Sequence, residues 1–158
     1  MANRTDTQTI GFLSIVEDAD NGCVGGYLVT DLRGNPLRFW STREKVVVSK
    51  LQKLLLGRGL QRYVFCDLLG KSLLEQDDSH VAAVLCDRRE MLALRKLMAF
   101  PLGAWSGDKF QSHEEYPQDR EVLTLIEGEL DLVDGPLEIF ERIREALKNG
   151  ADREEIGE

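Results

Sequence analysis

Two turn signals set between three apolar runs of similar length constrain this chain more than any other feature. Thr9 to Glu17 is rich in β-branched and aromatic residues, the composition of a pleated, half-buried strand. It ends at Asp18-Ala19-Asp20-Asn21-Gly22, where Asn-Gly supplies the positive φ that a tight hairpin turn needs. Cys23 to Asp31 reads as a second strand, Arg33-Gly34-Asn35-Pro36 as a second turn, and Leu37 to Ser41 as a third strand. The result is a three-stranded antiparallel meander. Gly25-Gly26 inside the second strand marks a bulge or a close backbone approach.

After Thr42 the apolar period changes from two to about 3.6. Val47, Leu51, Leu54 and Leu55 share one helical face, and Gly57-Arg58-Gly59 breaks that helix. A second helix follows from about Leu60 to Gln76, with Leu60, Val64, Leu68, Leu69 and Leu73 as its buried stripe. His80 to Cys86 is apolar on both faces, as in a central strand. Asp87 with Glu90 has capping-box spacing and opens a helix from Arg88 to about Ala99, which Pro101 ends. Leu102 to Trp105 reads as a short strand at the sheet edge, and Ser106 to Arg120 as a polar, mobile loop. Val122 to Ile126 fits strand or helix. Asp134-Gly135-Pro136 begins a last helix striped by Ile139, Phe140, Ile143, Ala146 and Leu147, and Asn149-Gly150 closes it. Strands first and helices later predict an α+β fold: a mostly antiparallel sheet with helices packed on one face. The 158 residues suit one domain, with frayed tails at 1–8 and 151–158.

Hydrophobic and charged fractions of 42% and 30% are ordinary for a globular chain and exclude disorder. No apolar run approaches the length of a membrane span, and the polar N-terminus lacks a secretory signal, so the expected location is the cytoplasm. The net charge of −8 is unevenly placed. Residues 111–158 hold 15 acids and 5 bases, whereas Arg38 to Arg62 holds seven bases and one acid. A basic middle and an acidic C-terminal part present two different surfaces.

Chemical signatures are sparse. Cys23, Cys66 and Cys86 are odd in number and widely spaced, which describes buried, reduced thiols and not a disulfide framework. Cys66 with His80 or His113 and an acid such as Asp67 would supply the parts of a thiol hydrolase, but a mid-helix thiol beside an apolar stripe lacks the electropositive niche of a nucleophile. His113, Glu114, Glu115 and Asp119 could hold a metal or do acid–base chemistry, against the simpler reading of a hydrated acidic loop. Neither glycine cluster has a phosphate-loop spacing. No catalytic residue, metal site or cofactor is assigned.

Two surfaces remain. Arg38, Trp40, Arg43, Lys45, Lys50 and Lys53 combine bases with an aromatic ring, a pattern that holds single-stranded nucleic acid by phosphate contact and stacking. Trp105, Phe110 and Tyr116 place aromatics at a strand end and in the long loop, where binding hot spots concentrate. These features favour a non-catalytic protein-interaction or accessory subunit that binds another protein or itself. The alternatives are an accessory protein contacting nucleic acid through residues 38–62, and a hydrolase using Cys66 or His113. Gly26 to Asp31, Gly34 to Phe39 and Leu54 to Leu60 resemble segments of small bacterial proteins of unknown function. That resemblance covers the first half of the chain and implies a bacterial, cytoplasmic setting, with no residue role to carry over.

Overall fold

In β1 (Ile10–Glu17) successive side chains point to opposite faces of the sheet, and most are apolar, so both faces are buried. Ile10 and Phe12 enter one core, Leu13 and Ile15 the other. The computed structural model describes residues 8–17, 22–42, 46–77 and 81–149, and β1 lies in the middle of its sheet.

β2 (Gly22–Thr30) pairs antiparallel with β1, and β3 (Pro36–Ser41) with β2, forming the expected meander. The first turn, at 18–21, lies outside the described residues. The second is organised by Asp31. Its carboxylate accepts the backbone N–H groups of Arg33 (2.9 Å) and Asn35 (3.0 Å) and the side-chain amide of Asn35 (2.9 Å). Gly34 takes φ 84°, a left-handed conformation that disfavours other residues. A two-residue strand, β4 (Val46–Val47), also pairs with β2.

The remaining strands correct the expected sheet. β5 (Ala83–Cys86) runs parallel to β1, β6 (Leu102–Trp105) parallel to β5, and β7 (Phe110–Ser112) antiparallel to β6. The fold is α+β, but the seven-stranded sheet is mixed and not mostly antiparallel, in the order β3-β2-β1-β5-β6-β7. Helical crossovers leave β3 and β5 and return the chain to the same end of the sheet, and such crossovers make neighbouring strands parallel. β5 is central, as its two apolar faces predicted. β6 is flanked by β5 and β7, so it is not the edge. The expected loop at 106–120 contains β7 and the start of a helix, joined to β6 through Gly107 at φ 108°.

Helices cover both faces, not one. α1 (Lys50–Leu56) and the 3-10 turn Gly57–Gly59 lead into α2, which starts as an α turn at Leu60–Arg62, passes through a π-helix at Tyr63–Gly70 and ends as an α turn at Lys71–Leu74. Val64, Phe65 and Leu69 of α2, with Met91 and Leu94 of the 3-10 helix Arg89–Lys96, pack on the Leu13 and Ile15 face. α3 (Asp119–Glu129) and α4 (Pro136–Lys148) bring Leu123, Ile126, Ile139, Phe140 and Ile143 to the Ile10 and Phe12 face. α3 resolves residues 122–126 as helix. Phe12 and Phe140 meet edge to face at 5.5 Å, and burying a ring of this size stabilises by about 2–3 kcal/mol.

Gly25 and Gly26 permit close approach, and helices of this chain use it. A Cβ at Gly25 would lie 2.8 Å from Leu73, and one at Gly26 would lie 2.8 Å from Ile143. The two glycines therefore admit α2 on one face and α4 on the other. The register shift of β2 falls elsewhere, between Val29 and Thr30.

Candidate functional site

The basic segment divides into an engaged part and a projecting part. Arg38 lies on β3, 5.9 Å from the ring centroid of Trp40, and pairs with Asp77 at 3.4 Å. Trp40 stacks on buried Tyr27, with ring centroids 5.9 Å apart at 19°. Both residues are thus packed into the β3 end of the sheet. Arg43 and Lys45 lie outside the described residues. Lys50 and Lys53 sit on α1, whose start is fixed by a capping box: Ser49 Oγ accepts the Gln52 N–H at 3.1 Å, and Gln52 Oε1 accepts the Ser49 N–H at 3.0 Å.

α1 presents its leucines to solvent. It buries no residue. Leu51, Leu54 and Leu55 are 64%, 73% and 77% exposed, and Val47 is 63% exposed. The helical period at Leu51, Leu54 and Leu55 was legible, but Val47, expected on the same helical face, belongs to β4, and the leucines are turned outward. Residues 46–66 also contain Lys50, Lys53, Arg58 and Arg62 and no acid. Lys50, Arg58 and Arg62 are exposed, and Lys53 is half-buried.

The second group of aromatics lies at the opposite end of the sheet. Trp105 and Phe110 pair across β6 and β7 with centroids 4.9 Å apart. Phe110 is core, and Trp105 is half-buried. The Arg95 guanidinium stacks 4.1 Å from the centroid of Tyr116 and binds buried Asp119 at 2.7 Å. Beside β7 lies a cleft of about 550 Å³, lined by Lys109, Gln111, His113, Arg120, Thr124 and Glu127 among others. Since β3 and β7 are the two ends of the strand order, no single site unites Trp40 with Trp105, Phe110 and Tyr116.

The thiol-hydrolase scheme lacks an accessible nucleophile at Cys66, and His80, one of its two candidate bases, lies outside the described residues. Cys66 is fully buried, donates to the Glu90 carbonyl at 3.6 Å, and burial pushes its thiol up to about 12. His113 accepts the Glu115 N–H through Nδ1 at 3.0 Å and meets Tyr116 edge to face. Among the described residues, no group of three or more His, Cys, Asp or Glu side chains is placed to hold a metal ion.

One polar cluster was not foreseen. Ser14 on β1 is fully buried on the face covered by α4 and donates to Asp87 Oδ2 at 2.8 Å. Arg144 of α4 reaches the same oxygen. Asp87 Oδ1 is buried with no hydrogen-bond partner, and burial raises the pKa of this carboxyl despite Ser14 and Arg144. Asp87 is therefore not the N-cap of the following helix. That cap position is Arg88, without a side-chain cap, and Arg88 instead pairs with Glu17 at 3.1 Å and lies 4.8 Å from the Phe65 centroid. The sequence signal was a lone serine inside the apolar run Ile10 to Val16 of β1. A buried hydroxyl requires a partner, and Asp87 follows the neighbouring parallel strand.

No family model matches the chain, and no curated protein matches it. Among solved structures it is similar to a crystal structure of LC11-RNase H1 in complex with RNA/DNA hybrid, at 16% identity and a TM-score of 0.36, covering 87% of this chain and 92% of that one. A second structure of LC11-RNase H1, isolated from compost, matches at 16% identity and a TM-score of 0.34, covering 87% and 91%. The expected non-catalytic interaction subunit is not what these matches are: both are structures of an RNase H1, one of them in complex with RNA/DNA hybrid. A likeness this distant assigns no activity or residue role to this chain. No helix among the described residues is long and apolar enough to cross a membrane.

Proposed function

We propose that this protein contacts nucleic acid through the basic segment formed by α1, the Gly57–Gly59 turn and the start of α2. The observation that carries this reading is the acid-free run 46–66, with Lys50, Lys53, Arg58 and Arg62 on a helical segment whose first helix buries no residue. In a chain of net charge −8, such a run concentrates positive potential where phosphate can reach it. Phosphate contacts supply most sequence-independent affinity and release counterions, so binding weakens steeply with salt. Arg38 and Trp40 are packed into the sheet end and have a structural part in this surface. The three free cysteines fit a reducing, cytoplasmic setting. The test is fluorescence anisotropy with labelled single-stranded RNA, single-stranded DNA and an RNA/DNA hybrid over a range of salt. Salt-sensitive binding that is lost in Lys50→Glu/Lys53→Glu/Arg58→Glu is expected. Absent binding at low ionic strength, or binding indifferent to salt, would rule the reading out.

A further inference from the structure

β7 is the last strand in the sheet order, and no strand lies along its outer edge. The pairing shows which groups that edge carries. Ser106 N–H donates to the Lys109 carbonyl at 2.9 Å across the turn, and Phe110 N–H points the other way, to Glu127 Oε2 of α3 at 2.7 Å. Backbone groups of an antiparallel pair alternate between inward and outward, so Ser112, two residues on, also turns its N–H and C=O outward. Glu127 takes the Phe110 N–H, which leaves the Phe110 carbonyl and both Ser112 groups on the open edge. Clefts lie on both faces of this edge. The cleft of about 550 Å³ lies toward α3, and one of about 240 Å³ lies toward the 3-10 helix, against Arg89, Leu92 and Ala93. Gln111, Ser112, His113 and Glu114 line both.

The bases around these clefts are ones without an acidic partner. Arg88, Arg95, Lys96, Arg142 and Arg144 each meet a carboxylate. Arg89, Lys109 and Arg120 meet none among the described residues, in a chain whose residues 111–158 hold 15 acids and 5 bases. Lys109 and Arg120 line the larger cleft, and Arg89 lines the smaller. His113 Nδ1 accepts the Glu115 N–H, so the neutral ring carries its proton on Nε2 as a further donor. Two carboxylates share the clefts: Glu127, held by the Phe110 N–H, and exposed Glu114. Three bases against these two leave the site cationic. We infer that β7 is the binding site for an extended acidic peptide, which adds to the open edge as a further strand. Such a peptide pairs through its backbone and sends its side chains alternately to the two faces, where the two clefts lie. Carboxylates entering the larger cleft meet Lys109 and Arg120. A nucleic-acid strand supplies negative charge but no ladder of N–H and C=O groups to match Phe110 and Ser112.

The site shares no residue with α1, so peptide binding and nucleic-acid contact fail separately. The experiment is fluorescence anisotropy on the full chain with a labelled six-residue peptide alternating threonine and glutamate, with near-ultraviolet circular dichroism to confirm folding of each variant. Saturable binding to wild type is expected, and the same peptide with glutamine for glutamate should bind about tenfold more weakly. Arg120→Gln and Lys109→Gln should each weaken binding by about threefold. Ser112→Pro removes an outward N–H and no bond to β6, and should weaken it by about tenfold. Two N-methylated peptides, one methylated on the threonine nitrogens and one on the glutamate nitrogens, give an arm that leaves the protein unchanged. Only one set of nitrogens faces β7, so one of these peptides should bind and the other should not. No binding to wild type overturns the inference. So does equal binding of the glutamine peptide, equal binding of the two N-methylated peptides, or a folded Ser112→Pro that binds as wild type does. An RNA strand whose binding falls with Arg120→Gln, while the peptide does not bind, assigns the cleft to phosphate and also overturns it. Lys50→Glu/Lys53→Glu/Arg58→Glu should bind the peptide as wild type does, and a loss there would place the peptide on α1 instead.

Discussion

Asp87 and Arg144 meet under α4 from positions 57 residues apart, and the carboxylate oxygen they share also accepts the Ser14 hydroxyl at 2.8 Å. The pair ties the last helix to the ends of the two central parallel strands. Arg144→Met would leave a buried carboxylate with only Ser14. Breaking a buried pair by removing one partner costs about 3–5 kcal/mol, and the partial exposure of Arg144 brings the expected loss nearer about 2–3 kcal/mol. Urea denaturation of Arg144→Met should show it. The double variant Asp87→Asn/Arg144→Met should lose less than the two single losses together.

The same carboxyl gives stability a pH dependence of defined sign. Burial raises the Asp87 pKa, so the folded chain holds this proton more tightly than the unfolded chain does. Between the ordinary aspartate value, about 3.9, and the raised folded value, the contribution of Asp87 to stability therefore increases as pH falls. Asp31 acts in the opposite sense. Burial alone would raise its pKa, but hydrogen bonds from Asn35 and Arg33 outweigh burial and lower it. Its contribution is present above the unfolded value and is lost as pH falls through the folded one. Denaturation across pH should thus show wild type gaining on Asp87→Asn as pH drops toward the unfolded value. A constant difference would refute the assignment.

The second meander turn should be sensitive at Gly34. Alanine there must adopt φ 84°, and its Cβ would lie 2.8 Å from Leu132. A loss of about 1–2 kcal/mol is expected from the conformation alone, with the contact adding to it. Asp31→Ala should cost about 1–2 kcal/mol by leaving the Arg33 and Asn35 amides to water. Thermal melts of the two variants would check both values.

The meander was legible because its cues are local. Asn35 and Gly34 are residues the turn uses, and the three apolar runs are the three strands. The mixed sheet was not legible, because the parallel register Ile10 with Ala83 joins segments far apart in sequence. Yet β1 carried a hint: Ile10, Phe12, Leu13 and Ile15 leave it no polar face, which requires cover on both sides. The stripe Leu51, Leu54 and Leu55 was legible as one helical face but its exposure was not, because period reports that a helix is amphipathic, not what its apolar face meets. Asp87 and Glu90 had capping-box spacing, but buried Ser14 and half-buried Arg144 offered Asp87 charge-assisted bonds that an exposed helix start cannot match.

Thiol reactivity should follow burial. Cys66 and Cys86 are fully buried, and burial lifts both thiols far above their usual range. Neither should react with a thiol-specific disulfide reagent at mildly alkaline pH until the chain unfolds. Fast labelling of native protein at Cys66 would contradict the packing of α2 against the 3-10 helix.

The basic segment should set the salt dependence of nucleic-acid binding. Each phosphate contact on a single strand contributes about 0.7 to the slope of log affinity against log salt. Replacing Lys50, Lys53 and Arg58 by glutamine should flatten that slope by about 2. The same triple change should leave the urea midpoint almost unmoved, since α1 buries no side chain.

The position of β1 has a consequence for how the chain is made. β1 ends at Glu17 and its antiparallel neighbour begins at Gly22, but its parallel neighbour begins only at Ala83. At roughly 5–20 residues per second of synthesis, the meander can emerge roughly 2–8 s before β5 begins. During that interval the middle strand of the finished sheet is the outer strand of the nascent one, with its N–H and C=O groups open to any extended chain. Mispairing on the ribosome is therefore a hazard specific to β1, and folding of α2 controls how long it lasts, because that helix carries β5 back to the open edge.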